Sequence, residues 1–242
     1  MSVMTATMPL RRVSLHPSEV VAEMSYNALK GLKMVLINMA LRESARPPEG
    51  PLGITLLGAR ARQYGADVSL VDFNAYREDD PSSPGGLRWL SHEEITGLLF
   101  RHFRKYGEPD IIGLSGMITT LPWQSAVTAI CRQLIPDAFI VSGGGLGTDL
   151  RAGLLDWVAE LDAVVHSQAD DTLLILGQEM LKHRHRRQPD LPDELCQVVG
   201  GQDGRLQFLY AGAAALKGSA DNPFPLDRLP FPAWDLLERD VD

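Results

Sequence analysis

Between residues 33 and 186 the chain alternates short apolar runs with longer amphipathic segments. A short apolar run predicts a buried strand, whereas apolar positions three and four residues apart predict a helix. The predicted strands are MVLIN (34–38), DVSLVDF (67–73), DIIGLS (110–115), AFIVSG (138–143) and AVVHS (163–167). The predicted helices cover residues 53–65, 93–107, 121–135, 154–161 and 171–185.

Five strands that alternate with five helices indicate a parallel sheet that is covered by helices on both faces. The sequence therefore predicts an α/β, Rossmann-like fold, a doubly wound five-stranded parallel sheet with the flavodoxin-like strand order 2-1-3-4-5. Ligands of such sheets bind beyond the carboxyl ends of the strands, near the point where the strand order reverses. We expect a site at that edge.

Both ends of the chain differ in pattern from this central region. Apolar positions in PSEVVAEMSYNALKG (17–31) predict an appended N-terminal helix. Two short apolar runs around Asp203-Gly204 predict a hairpin, and NPFPLDRLPFPAW (222–234) is proline-rich and extended. The predicted organisation is an arm with a helix (1–32), an α/β domain (33–186) and a hairpin with a Pro-rich docking tail (187–242).

Composition narrows the classes of function. A net charge of −8 over 242 residues argues against a nucleic-acid surface. No apolar run reaches the length of a membrane span, and the two cysteines, Cys131 and Cys196, lie far apart in the sequence. We expect a cytoplasmic protein that binds neither nucleic acid nor membrane, and whose cysteines hold no zinc ion or iron–sulfur cluster.

Four glycines occur within five positions after the fourth predicted strand: Gly143, Gly144, Gly145 and Gly147. Ordering a glycine costs roughly 0.5–1 kcal/mol more than ordering alanine, so a turn or a close ligand should offset the cost. A nicotinamide fingerprint is disfavoured because Thr148 stands where its third glycine belongs. Neither a flavin phosphate loop nor a P-loop follows the first predicted strand.

Small polar residues follow the third predicted strand in GLSGMITT (113–120). Ser115, Gly116, Thr119 and Thr120 could simply cap the next helix, which begins near Pro122. Because the glycine cluster follows the neighbouring strand, the two segments together predict a trough between the strand tips. Such a trough suits a flat or rod-like ligand.

Polar residues after two other strands have two interpretations each. Asp72 and Asn74 follow the second predicted strand and could form a turn or contact a ligand. His166 ends the fifth predicted strand and points toward the expected site, where it could contact a ligand or be a satisfied core histidine. The sequence alone leaves both alternatives open.

Four segments resemble the cobalamin (B12)-binding domain at the N-terminus of class B, cobalamin-dependent radical SAM proteins, and the resemblance extends over residues 33–238. The segments are PLGITLLGARARQYGADVSLVDFNA (51–75), EPDIIGLSGMITT (108–120), FIVSGGGLGTD (139–149) and LDRLPFPAWDLL (226–237). The resemblance implies that the nucleotide tail of cobalamin is lined by Ser115, Gly116, Thr119, Thr120, Gly143, Gly144 and Gly145. It implies that the corrin ring is bordered by Pro51, Leu52, Gly53, His166, Ser167 and Gln168.

Three departures from the family pattern shape what the resemblance implies. No histidine lies between His16 and His92, so cobalamin would bind base-off without a histidine ligand, and the chain would be metal-binding only through the cofactor's cobalt. GGGLG and SQAD replace the family's usual sequences after strands four and five. Three closely spaced cysteines are missing, so SAM and the 4Fe–4S cluster would belong to a partner radical SAM subunit or domain.

The leading hypothesis is therefore a module that carries methylcobalamin in a radical SAM methyltransferase system and is not catalytic alone. The second is a non-enzymatic scaffold or regulatory subunit of the same fold that has lost or altered cobalamin binding. A third is a flavodoxin-like enzyme that uses a nucleotide.

Overall fold

The computed structural model describes residues 16–40, 50–76, 78–79, 82, 87–182, 191–202, 205–212 and 226–237. Nine strands lie in these ranges: β1 (Lys33–Asn38), β2 (Asp67–Asp72), β3 (Glu78–Asp79), β4 (Leu87–Arg88), β5 (Ile111–Ser115), β6 (Phe139–Gly143), β7 (Ala163–His166), β8 (Cys196–Gln202) and β9 (Arg205–Ala211). Seven helices accompany them: α1 (Pro17–Ala22), α2 (Leu52–Gln63), α3 (His92–Tyr106), α4 (Leu121–Leu134), α5 (Gly144–Leu150), α6 (Gly153–Trp157) and α7 (Thr172–Lys182).

The main sheet has the order β2-β1-β5-β6-β7-β9-β8. Its first five strands are parallel and are the five predicted strands, so the α/β fold and the order 2-1-3-4-5 are confirmed. The sheet has seven strands rather than five because the predicted C-terminal hairpin joins it. β9 pairs with β7 in parallel and β8 pairs with β9 antiparallel, which covers an edge of β7 that would otherwise be open.

Alternation along the central strands divides the core into two layers. Val35 and Ile37 face the layer that packs under α3, α4, α5 and α6, whereas Met34 and Leu36 face the layer under α1, α2 and α7. All four side chains are buried. Strands covered on both faces read as continuous apolar runs, which is why the sequence identified them.

The predicted end of the N-terminal helix is wrong. The N-terminal helix was predicted over residues 17–31 but ends at Ala22, and the chain continues in turns that bury Leu29 and Leu32. Leu29 N–H donates to the carbonyl of Tyr64 at the end of α2, so tertiary packing outweighs the helical pattern. The sequence predicted a turn or a close ligand at the glycine cluster, and in the structure Gly144, with a φ of +74°, begins helix α5.

The Pro-rich tail lies against the chain itself where it is described, in residues 226–237. Ala233 N–H donates to the carbonyl of Thr55 in α2, and Leu237 forms a parallel bridge with Leu70 of β2. The predicted turn at 203–204 and the start of the tail at 222–225 lie outside the described residues. In the parts of the chain that the structure describes, no helix is long and apolar enough to span a membrane.

Candidate functional site

A row of small and polar residues crosses the carboxyl edge of the sheet in register. Asp72 of β2 pairs with Asn38 of β1, Asn38 with Ser115 of β5, and Ser115 with Gly143 of β6. Side chains alternate along strands, so these four residues share the face that Leu36 and α2 occupy lower in the sheet. Neighbouring strands lie about 4.8 Å apart, so the row is roughly 14 Å long.

At the β2 end of the row, one carboxylate oxygen accepts several hydrogen bonds. Asp72 Oδ1 accepts from Asn38 Nδ2 at 2.9 Å, and from the backbone N–H and Nδ2 of Asn74 at 3.1 Å and 3.0 Å. Asn74 Nδ2 also donates to the carbonyl of Met39. The turn interpretation of Asp72 and Asn74 is therefore confirmed, while ligand contact stays a prediction.

The segment after β5 is a compact turn. Thr120 Oγ1 accepts from the backbone N–H of Met117 at 3.1 Å and donates to its carbonyl at 2.8 Å. A Cβ atom at Gly116 would collide with Thr120 Oγ1 and would come within 3.0 Å of Gln124 Oε1. The fold itself therefore requires glycine at position 116, whereas Thr119 is exposed at the surface.

The segments after β5 and β6 contact each other directly. Leu146 N–H donates to the carbonyl of Gly116 at 2.9 Å. Gly144 has a φ of +74°, and a Cβ atom there would lie 3.0 Å from Gly116 O and from Ser115 Oγ. The sequence predicted a trough between these two strand tips, but in the structure backbone atoms meet at this point.

Three other glycines of the predicted site have no such steric reason. A Cβ atom at Gly143 would come no closer than 3.7 Å to a neighbouring atom, and one at Gly145 no closer than 3.8 Å. A Cβ atom at Gly53 would meet nothing within 4 Å. Gly53 and Gly145 are exposed and lie in the first turns of α2 and α5, both at the carboxyl edge.

A buried polar group lies beneath this surface, between β6 and α4. Gln124 Nε2 donates to Ser142 Oγ, and both side chains are fully buried. Gln124 Oε1 is buried too, and no described residue donates a hydrogen bond to it. Sequence reasoning missed both residues, although a serine in the apolar run FIVSG and a glutamine on the apolar face of a predicted helix were visible signals.

The end of β7 is held from two sides. Ser167, with a φ of +69°, donates its backbone N–H to Thr148 Oγ1 at 3.0 Å, and the carbonyl of His166 accepts from Gly212 N–H at 2.8 Å. Ser167 Oγ lies 3.5 Å from His166 Nδ1. Burial lowers the pKa of His166, and the nearby Arg151 charge lowers it further. Gln168 is exposed.

Apolar side chains are exposed at the same edge. Leu52 at the start of α2 is 52% exposed, and Met117 and Ile118 after β5 are 46% and 51% exposed. Pro51 precedes α2 without a side-chain hydrogen bond to cap it. Since β1, which leads toward α2, is the neighbour of β5, these exposed side chains follow adjacent strands of the sheet.

The structure thus brings Ser115, Gly116, Thr120 and Gly144 into direct contact and places Gly143 beside Ser115 by register. The backbone of Val165, just before His166, lies 3.7 Å from the Cβ position of Gly143. Pro51, Leu52, Gly53 and Thr119 share the edge without a bond to the other predicted residues. Among the described residues, no group of three or more His, Cys, Asp or Glu side chains could hold a metal ion.

Comparisons with known proteins do not identify a family for this chain. No family model matches the chain, and no curated protein matches it. Among solved structures, the chain is similar to the crystal structure of Plasmodium falciparum PdxK with ligands AMP-PNP and PL, at 12% sequence identity and a TM-score of 0.30. The match covers 60% of this chain and 54% of that one, so the chain spans about half the length of PdxK.

Proposed function

We propose that this chain binds cobalamin at the carboxyl edge of the sheet, as the cofactor-carrying module of a cobalamin-dependent radical SAM methyltransferase system. The observation that carries the proposal is a set of three glycines at this edge, Gly143 in the polar row and Gly53 and Gly145 in the first turns of α2 and α5, where no described atom would collide with a Cβ atom. Cobalamin would bind base-off, without a histidine ligand from the chain.

Glycine at these positions costs stability that the fold does not recover. Gly145 lies in the first turn of α5, and in a helix interior alanine is about 0.8–1.0 kcal/mol more favourable than glycine. Gly53 lies in the first turn of α2, and a Cβ atom there would meet no described atom within 4 Å. A ligand that approaches the backbone closely would account for both, because only glycine leaves the backbone accessible without a Cβ atom.

The remaining residues of the edge have the chemistry to hold a large flat ring with polar substituents. Leu52, Met117 and Ile118 offer exposed apolar contact for the ring. Ser115 and Thr119 offer hydroxyl groups that can donate or accept hydrogen bonds. The row of about 14 Å is longer than a single phosphate group needs.

When bound, cobalamin supplies a cobalt atom that carries a methyl group. The chain's own residues would hold and orient the ring and keep one of its faces from water. SAM and the 4Fe–4S cluster, which the radical step requires, would come from a partner radical SAM subunit or domain. The exposed carboxyl edge is the surface that such a partner would have to reach.

Two observations bear on the fit of the nucleotide tail. Gln124 Oε1 is buried without a donor among the described residues, lies 3.0 Å from the Cβ position of Gly116 and could accept a hydrogen bond from a ligand hydroxyl. Against this, the bond from Leu146 N–H to Gly116 O joins the two strand tips. A tail seated between β5 and β6 therefore requires this bond to open.

The test is retention of hydroxocobalamin after incubation and desalting, followed by an absorbance spectrum. We expect the wild-type chain to retain the corrin in the base-off form. Gly145→Phe and Thr119→Phe should abolish retention, because both residues are exposed at this edge and a Cβ atom at Gly145 would come no closer than 3.8 Å to a described atom. Circular dichroism should stay unchanged in both variants.

Gly153→Phe is the matched control. Gly153 also lies in a helix and is exposed, and a Cβ atom there would meet no described atom within 4 Å, but it is not one of the predicted site residues. We expect this variant to retain the corrin like the wild type. A colourless wild-type chain, or equal retention by Gly145→Phe and the wild type, would overturn the proposal.

One observation favours a second function, that of a non-enzymatic scaffold or regulatory subunit. The Leu146–Gly116 bond and the tight approach of Gly144 to Ser115 give this edge a closed, self-contained form. A folded wild-type chain that stays colourless with hydroxocobalamin would support this alternative.

A further inference from the structure

The carboxylate at the end of β2 uses only one of its oxygens within the chain. Asp72 Oδ1 accepts three hydrogen bonds, from the side chains of Asn38 and Asn74 and from the backbone N–H of Asn74. In the described ranges, no donor reaches Oδ2. Asp72 is half-buried, and the three bonds to Oδ1 restrict the rotation of its carboxylate.

Asn38, the next residue of the row, adds a second acceptor. Its Nδ2 is used by Asp72, which leaves Asn38 Oδ1 without a donor from the residues that the structure places. Asn38 is half-buried and pairs in register with Asp72 on one side and Ser115 on the other. The β1–β2 end of the row therefore offers two oxygen acceptors, beside one N–H of Asn38 Nδ2 that Asp72 does not use.

A pair of acceptors selects a ligand group that carries donors. A metal ion would need further ligands, and no cluster of His, Cys, Asp and Glu completes a shell here among the described residues. A primary amide has two N–H groups on one nitrogen and matches two neighbouring acceptors. A ligand carboxylate would instead be repelled by Asp72.

We infer that Asp72, held in place by Asn38 and Asn74, is a specificity-determining residue that accepts hydrogen bonds from a peripheral amide group of the ligand. The inference rests on the proposed function, since cobalamin carries primary amides around its corrin ring. Asp72 then discriminates an amide from a carboxylate at one position of the ring periphery. The polar row thus recognises the substituents of the ring, while the exposed apolar residues contact its face.

The experiment compares the dissociation constants of cobalamin and of its singly hydrolysed derivatives, in each of which one peripheral amide has become a carboxylate. Hydrogen bonds to a charged group are worth more than neutral ones, so the wild-type chain should bind cobalamin at least tenfold more tightly than one of the derivatives. Asp72→Asn should reduce that preference to less than threefold. The asparagine oxygen can still accept from Asn38 and Asn74, so the turn is kept.

Asp67→Asn is the matched control because Asp67 is an exposed aspartate at the opposite end of the same strand. It should keep the wild-type preference. Equal affinity of the wild type for cobalamin and every derivative, or an unchanged preference in Asp72→Asn, would overturn this inference and leave the proposed function standing. A wild-type chain that binds no cobalamin at all would overturn both.

Discussion

The two edges of the sheet differ in how far the chain itself satisfies the hydrogen bonds of their polar groups. At the amino edge, charged side chains bond to carbonyl groups and amides of the chain itself, and they lie between the ends of helices and the starts of strands. At the carboxyl edge, Asp72 and Gln124 each keep an oxygen that no described residue uses, and exposed glycines lie beside them. A polar group that the fold satisfies has a structural role, whereas one that the fold positions and leaves open suits a ligand.

Arg132 and Asp162 form the centre of the amino edge. The terminal nitrogens of Arg132 donate to the carbonyls of Pro136, Ala138 and Glu160 and to Asp162 Oδ2, at 2.6–2.9 Å. Asp162 Oδ2 also accepts the backbone N–H of Ile140 at 2.8 Å. Together these bonds join the end of α4 to the starts of β6 and β7, and only Nε of Arg132 remains without a partner.

Among the variants that distinguish the two edges, Asp162→Ala at the amino edge should cause the largest loss of stability. It removes the partner of a mostly buried guanidinium and leaves the Ile140 N–H without its acceptor. Breaking a buried ion pair in this way costs about 3–5 kcal/mol in free energy of unfolding. Urea unfolding measures that loss.

Asp162→Asn sharpens the test because its oxygen can still accept from Ile140, so its loss of stability should be smaller. At a temperature where both variants are folded, the retention of hydroxocobalamin should equal that of the wild type. A selective loss of retention in a folded Asp162 variant would contradict the division of roles between the edges.

The second effect concerns two adjacent glycines at the carboxyl edge. Gly144→Ala places a Cβ atom 3.0 Å from Gly116 O at a φ of +74°, which should destabilise the fold by about 1–3 kcal/mol. Gly145→Ala places one in ordinary contact within a helix and should stabilise the fold by about 0.4–1 kcal/mol.

Urea unfolding of both variants therefore separates a glycine that the fold requires from one that it does not. Opposite signs of the change in unfolding free energy support the assignment of Gly145 to the ligand surface. Destabilisation by both substitutions would show that the fold needs Gly145 as well, and would remove one of the three glycines on which the proposed function depends.

The sequence predicted the central fold because both faces of the sheet are covered. Buried strands such as the one at 111–115 are continuous apolar runs, and amphipathic helices such as α3 alternate with them. The strand with which the hairpin pairs could not be predicted in the same way. The pairing of β9 with β7 depends on an open edge that exists only once the sheet has formed.

The sequence predicted the residues of the site and their location at the carboxyl edge, but not the contacts between them. Glycines and hydroxyl residues after two neighbouring strands pointed to the carboxyl edge, and the structure places them there. That Gly116 and Gly144 fill each other's space could not be predicted, because the sequence does not show how closely two backbones approach. Ser142 and Gln124 were missed because each stands alone in an apolar segment.

The smallest expected effect is the pH dependence that His166 gives to the carboxyl edge. Its pKa in the folded chain is lowered from 6.5 by burial and by Arg151, so the unfolded chain binds more protons between that lower pKa and about 6.5. Stability therefore rises with pH through this window and is lost as the pH falls. Asp170 has a raised pKa because of burial, and its contribution to the pH dependence of stability has the opposite sign.

His166→Asn removes only the contribution of His166, so between pH 7.5 and 5.5 the variant should lose less unfolding free energy than the wild type. Equal losses in urea unfolding at the two pH values would show that His166 is not a buried neutral side chain and belongs instead to the solvated surface.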